Sequence, residues 1–289
     1  MNALRNIGAP PLRFLHRLVT FGRKRTSAFR MLLLHGIEAQ EHDAFDRLVG
    51  YIVEKHGVIS PAEAVAEPAD QGVVRPTWCL PCLFTFDDGF ASNFEIAASV
   101  LDRYGVKALF FVCPGLTELE GDVQRRAIAR QMFLGRVEAE DLPSSVRLMN
   151  WDELRSLKAR GHVIGCHGMR HRRLTEIDKG ELIEEVDAAG DLIDTRLAQE
   201  TDWYAYAFGD IRSIDRPAIE AIARRFRYCR SGIRGSNGRQ TNRMAFCADS
   251  LSPGAPLSYQ KLLIEGAVDI MYGRRRRTLE AFAAKPAIT

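Results

Sequence analysis

Residues 82–90 read CLFTFDDGF: a short apolar and aromatic run, then Asp87 and Asp88 side by side, then Gly89. A run of this length, rich in aromatic residues and closed by a turn signal, predicts a buried strand. The acids and the glycine predict that it ends in a turn. A carboxylate at the rim of an apolar segment must be hydrogen-bonded, paired or bound to a metal. Two readings follow, a solvent-exposed Asp-Gly turn or part of a ligand cluster at a strand end.

The flanking sequence supplies the context. Upstream, FRMLLLHGI (29–37) is a second apolar strand, ending at His35, and HDAFDRLVGYIVEKHG (42–57) has Phe45, Leu48, Val49, Ile52 and Val53 at helical spacing. Downstream, SNFEIAASVLDRYGV predicts a helix, KALFFVCPG a strand, and NWDELRSLKARG a helix with Asn150 as N-cap and Gly161 as stop. HVIGCHGMRH predicts a strand running into a polar turn, followed by a long helix in DKGELIEEVDAAGDLIDTRLAQ. The strands DWYAYAFGD and RYCRSGI alternate with the helix AIEAIARRF, and SYQKLLIEGAVDIMYG is expected to be the last helix. Residues 115–147 are polar and irregular and are expected to form an insertion or lid. Strands alternating with helices predict an α/β fold with a parallel sheet. In such folds the working residues gather beyond the C-terminal ends of the strands. His35, Asp87, Asp88, the CHGMRH segment and the FGD segment all sit at such ends.

The chain has 289 residues, 46% hydrophobic and 27% charged, values ordinary for a soluble globular protein. No apolar run approaches the roughly 18 residues of a membrane span. The net charge of +3 is unevenly spread. Residues 1–28 carry Arg5, Arg13, Arg17, Arg23, Lys24 and Arg25 and no acid, which sets a basic arm (1–28) apart from the remainder (29–289). Without the arm the body is slightly acidic, so no nucleic-acid partner is expected. The arm also holds Leu12, Phe14, Leu15, Leu18, Val19 and Phe21, a mixture suited to a short helix on an anionic membrane or on a partner. The alternative is a poorly ordered terminus. The arm lacks the long apolar stretch and small-residue cleavage site of a secretory signal, so a cytoplasmic location at the inner membrane surface is expected. The cysteines at 79, 82, 113, 166, 229 and 247 then read as reduced thiols. WCLPC (78–82) has the form of a thioredoxin-type redox site, but such a site needs a helix immediately after it, and LFTFDD is strand-like.

HGMRH places His167 and His171 at i, i+4. Two histidines and one carboxylate leave an open coordination position, the donor set of a hydrolytic zinc site or a non-haem iron site. Together with the TFDDG segment (85–89), this pattern resembles the polysaccharide deacetylases of the NodB-homology type, carbohydrate esterase family 4. The first family motif, T-F-D-D-G, is intact. The second, H-S/T-x-x-H, is His167 to His171 with Gly168 at the Ser/Thr position, and the third resembles Tyr206-Ala207-Phe208-Gly209. The resemblance covers roughly residues 29–235. It implies a NodB-type deformed (β/α) barrel with parallel strands and removal of N-acetyl groups from an N-acetylated glycan. It further implies Asp88, His167 and His171 as ligands of a divalent metal, zinc first, and Asp87 as general base. A backbone N–H near Phe208 would bind the oxyanion, with Tyr206 and Arg234 on the substrate side.

Two departures from the family pattern matter. The Arg that many members carry in the third motif, where it orients the catalytic Asp, is matched here by Ala205, and Arg230 or Arg234 of CRSGIRG is the candidate to reach in. Many members also end with an L-x-H motif whose His protonates the leaving amine, and no His follows His171. His35 resembles the N-terminal His that takes the acid role in relatives with a rearranged motif order. These gaps leave two alternatives open: a non-catalytic glycan-binding member of the same fold, and an amidohydrolase acting on a small non-sugar amide.

Overall fold

The computed structural model describes residues 2–66, 74–143 and 145–284. Met1 and Thr289, the outer ends of the two expected segments, lie outside that range. Nine strands form in chain order: β1 (Lys24–Thr26), β2 (Arg30–Leu34), β3 (Val74–Pro76), β4 (Cys82–Phe86), β5 (Leu109–Val112), β6 (Val163–Cys166), β7 (Trp203–Ala205), β8 (Tyr228–Arg230) and β9 (Asp249–Ser250). β1 and β3 make a small antiparallel pair. The other seven form one sheet in the order β8-β7-β6-β5-β4-β2-β9, and every pairing within it is parallel. This is the curled parallel sheet of a NodB-type deformed barrel.

The ring closes through an irregular segment. Phe246 lies beside Arg230 in a parallel bridge, and the Ser231 N–H donates to the Phe246 carbonyl at 2.8 Å. Three residues later the same segment becomes β9 and pairs with β2, Leu32 opposite Asp249 and Leu33 opposite Ser250. One stretch of chain thus bonds to both edges of the sheet and leaves neither strand edge bare.

The apolar runs of β2 and β4 are continuous because both faces of the sheet are covered. Leu32, Leu34, Phe84, Phe86 and Phe110 pack outward against helical residues such as Phe45, Leu48 and Leu101. Met31, Leu33, Leu83, Leu109, Phe111 and Ala205 point into the barrel and pack with Trp203 and Phe246. With a side-chain period of two, Thr85 and then Asp87 continue the inward set. The same alternation sends Cys229 outward and Arg230 inward.

The helices follow the expected pattern at most positions. His42–Lys55 buries Phe45, Leu48, Val49 and Ile52, and Asn150 caps Trp151–Ala159 by accepting from the Glu153 N–H at 2.9 Å. The C-terminal region differs from the reading of one last helix. Leu257–Ile264 stops ahead of Gly266, which has φ +81°, and a further helix, Gly273–Ala283, begins with four consecutive arginines. That run gave no apolar periodicity to read. The basic arm forms a helix, Asn2–Val19, with Pro10 and Pro11 inside it. Two missing N–H donors weaken an isolated helix, and this one is fastened to the body at Glu265 through Arg13 and Arg17. The six cysteines are unpaired thiols; all but Cys79 are buried. Cys82 opens β4, so WCLPC is followed by a strand and not a helix.

Two buried histidines make stability depend on pH. The Ala108 N–H donates to His162 Nδ1 at 3.2 Å, so that nitrogen must stay unprotonated. Burial pulls the pKa of His162 down from 6.5 to about 4, and burial does the same to His56. The unfolded chain takes up these protons near pH 6.5, the folded chain only near pH 4. Their contribution is therefore complete above pH 6.5 and declines as pH falls through that window, by on the order of 3 kcal/mol per histidine at most. The urea midpoint should fall between pH 7 and pH 5, and His162→Gln should flatten roughly half of that slope. A midpoint independent of pH in this range would contradict the argument.

Candidate active site

The C-terminal ends of β2, β4, β6 and β7 open into one cavity of about 340 Å³. His35 lies just past β2, Asp87 and Asp88 past β4, His167 and His171 past β6, and Phe208 past β7; all six line it. The Leu34–Phe86 register explains part of this meeting, because parallel partners end level and the Asp87 N–H donates to the Leu34 carbonyl at 2.9 Å. Tyr206 and Arg234 do not line the cavity. The Tyr206 side chain is buried and its hydroxyl donates to the Gly209 carbonyl at 3.2 Å, which braces the turn that carries Phe208. Arg234 donates to the carbonyl of Ser250, a lining residue, and lies 3.7 Å from Asp249. Both residues, expected on the substrate side, thus stand behind the cavity lining rather than in it.

Asp88, His167 and His171 offer one ligand atom each within 4.8 Å of one another. His167 Nε2 lies 3.5 Å and His171 Nε2 3.3 Å from the same oxygen, Asp88 Oδ1. On the far side of its ring, His167 Nδ1 donates to the Ala205 carbonyl at 2.6 Å. His171 Nδ1 faces the Gln131 carbonyl at 3.3 Å. Carbonyls at both Nδ1 atoms fix the tautomer and leave both Nε2 lone pairs facing Asp88, as metal-ligating histidines require. The donor set fits a divalent ion. Burial pushes the Asp88 carboxyl up, but the two imidazoles of His167 and His171 beside it outweigh this and hold the group well below the usual carboxylate range.

Asp87 takes a different partner. Arg230, fully buried, donates from Nη2 to Asp87 Oδ1 and stacks 4.9 Å above the Phe111 ring inside the barrel. Arg230 is the register partner of Ala205 on the neighbouring strand. The cation missing from the third motif therefore enters from β8 at the same level, and of the two candidate arginines Arg230 is the one that reaches Asp87.

The turns that hold these groups are strained. Among the described residues, six non-glycine residues have positive φ, and three of them, Asp88 (+71°), His171 (+57°) and Phe208 (+64°), line this cavity. Such backbone persists where surrounding contacts over-determine it. Under the His167–His171 turn that contact is Glu185, a buried carboxylate that sequence reading missed. It accepts from the Arg170 N–H at 3.0 and 3.2 Å. Burial raises its pKa. Gly168 has φ +83°, and a Cβ there would lie 2.6 Å from Glu185 Oε2. The glycine at the motif's Ser/Thr position is thus the residue that admits Glu185. Residues 115–147, expected to form an insertion or lid, contribute Met132 and Phe133 to the cavity wall. The Phe208 ring packs 4.7 Å from His171 and is covered by the Arg173 guanidinium at 4.6 Å. The Phe208 N–H makes no hydrogen bond within the described residues.

Comparison with known proteins bears on the family and the fold. A family model described as polysaccharide deacetylase matches residues 79–225, just over half of the chain. A deacetylase of Streptococcus pyogenes, PplD, solved with acetate, superposes with a TM-score of 0.61 at 18% identity, covering 83% of this chain and 99% of that one. A polysaccharide deacetylase of Bacillus cereus, BC0361, gives 0.61 at 15% identity over 83% of this chain and 69% of its own. IcaB of Ammonifex degensii gives 0.59 at 17% identity over 83% and 98%. These likenesses show a shared fold. A comparison with curated proteins gives no match.

Gly168→Ala should cost on the order of 1–3 kcal/mol, because it combines a left-handed residue with a contact against Glu185. The loss should be read from chemical denaturation beside Glu185→Ala and Glu185→Ala/Gly168→Ala, where the shortened partner removes the contact and the added cost of Gly168→Ala should shrink. An unchanged midpoint in Gly168→Ala would remove the role given to that glycine.

Proposed function

Since the chain belongs to the polysaccharide deacetylase family, we propose that it is a metal-dependent hydrolase that removes N-acetyl groups from an N-acetylated sugar in a polysaccharide or lipid-linked glycan. The observation that carries this reading is the pairing of a three-ligand cluster with a separate carboxylate, Asp87, held by Arg230. In this reading Asp88, His167 and His171 hold a divalent ion, with zinc the first choice for two imidazoles and a carboxylate. A divalent ion bound there would acidify a water and polarise the acetyl carbonyl.

The side chains then divide the labour. Asp87 takes the proton from the attacking water, and Arg230 holds that carboxylate in place. The Phe208 N–H faces the developing oxyanion as a preorganised donor. His35, at the cavity mouth, gives a proton to the leaving amine, the task that falls elsewhere in the family to a C-terminal histidine. Acetate and a free amine leave. Arg230 also weakens the case for a non-catalytic member of the fold, which rested in part on the missing motif cation.

The reading is tested by acetate release from N-acetylglucosamine oligomers, beside a panel of non-sugar acetamides. Purified protein should hold about one equivalent of zinc or a similar ion, lost in Asp88→Ala and in His167→Ala. Asp87→Asn and His35→Ala should keep the ion and lose turnover by about 10²–10⁴. Unchanged turnover in His35→Ala would remove His35 from the mechanism, and release from non-sugar amides alone would replace the sugar substrate.

A further inference from the structure

The helix Asn2–Val19 is fastened to the body through its polar side. Arg13 and Arg17 both donate to the buried Glu265 carboxylate, Arg17 at 2.6 and 2.9 Å, and His16 Nε2 lies 3.0 Å from the Glu265 carbonyl. A surface helix of a globular protein does the reverse and turns its apolar stripe inward. Here Ile7, Phe14 and Leu18 form an outward stripe at helical spacing, flanked by Leu12, Leu15 and Val19, and all six are exposed. Between Ile7 and Val19 the only charged side chains are the inward Arg13 and Arg17.

A second segment joins this face from the other end of the chain. Ile270 is 88% exposed and Met271 76%. Ile270 lines one groove with Leu12, Leu15 and Val19. Contiguous exposed apolar surface on this scale marks an interaction site. Its margin is cationic: Arg23, Lys24 and Arg25 follow the helix, and Arg274 and Arg275 follow Met271, all exposed. The acids at the groove are already paired, Glu265 with Arg13 and Arg17, and Asp269 with Arg30.

We propose that this face docks on an anionic lipid bilayer, the apolar stripe entering the acyl boundary and the marginal cations meeting the headgroups. The charge selects this occupant over a second copy of the chain, since an isologous pair would set the same cations against each other. No helix of the described residues is long and apolar enough to cross a membrane, so the contact is peripheral. Arg30, at the start of β2, lines the groove and His35 lies just past the end of that strand. The docking face and the cavity are thus about 17 Å apart, one strand length, and docking leaves the cavity open. The proposal does not depend on the deacetylase reading.

The test is co-sedimentation of the full chain with vesicles of phosphatidylcholine alone and with about one quarter phosphatidylglycerol, at low and at physiological salt. The full chain should sediment with the anionic vesicles. Phe14→Ser/Leu18→Ser should lower the partition coefficient at least about tenfold, and Arg23→Glu/Lys24→Glu should abolish the preference for anionic lipid. Both pairs are exposed, so far-ultraviolet circular dichroism should match the parent. Failure to bind anionic vesicles, or binding that survives Phe14→Ser/Leu18→Ser, would overturn the proposal. So would a dimer in sedimentation velocity that this variant dissociates, which would assign the face to a second copy.

Discussion

A guanidinium enclosed in a barrel is tolerable only opposite an anion, and Arg230 has one in Asp87. The pair spans the ring interior from β8 to β4, with three strands between them in the sheet order. Met31, Leu33, Leu83, Leu109 and Phe111 pack around it inside the barrel, so the Arg230 guanidinium lies in apolar surroundings. Loss of either partner leaves the other buried and unpaired, which is far more costly than the pair itself. That constraint ties the closure of the barrel to the chemistry at its mouth, because β8 is held in place by the same segment, around Phe246, that runs on to pair with β2.

The adjacent acids at the end of β4 acquire separate environments from the strand period. Asp87 continues the inward alternation and meets Arg230. Asp88, one residue on and in left-handed backbone, turns to the two imidazoles. Two carboxylates next to each other in sequence thus meet different partners. The imidazoles owe their geometry to neighbours off the motif: the Ala205 carbonyl behind His167, and Glu185 beneath the turn that ends at His171.

Much of this arrangement was legible in the sequence, for identifiable reasons. The parallel fold followed from continuous apolar runs alternating with amphipathic ones, and the positions of His35, Asp87, Asp88, His167 and His171 at strand ends followed from the same pattern. What stayed illegible depended on lateral neighbours. The pairing of Ala205 with Arg230 is a register relation between strands, and no local signal in CRSGIRG separates Arg230 from Arg234. Glu185 sits in a helix rich in acids, where only burial distinguishes it. β9 has two residues, too few to carry a period. The helix Gly273–Ala283 opens on a charge run that reads as solvated chain, and the fastening of the N-terminal helix to Glu265 links residues about 250 apart.

The origin of the motif cation on β8 bears on how such sites change over generations. A guanidinium at one point in the lumen can be supplied from either of two adjacent backbones whose residues stand level. A lineage can acquire the second source before it gives up the first, so the exchange need not pass through a dead ancestor. What the lumen requires is a charge at one location, and either of two level residues on adjacent strands can deliver it.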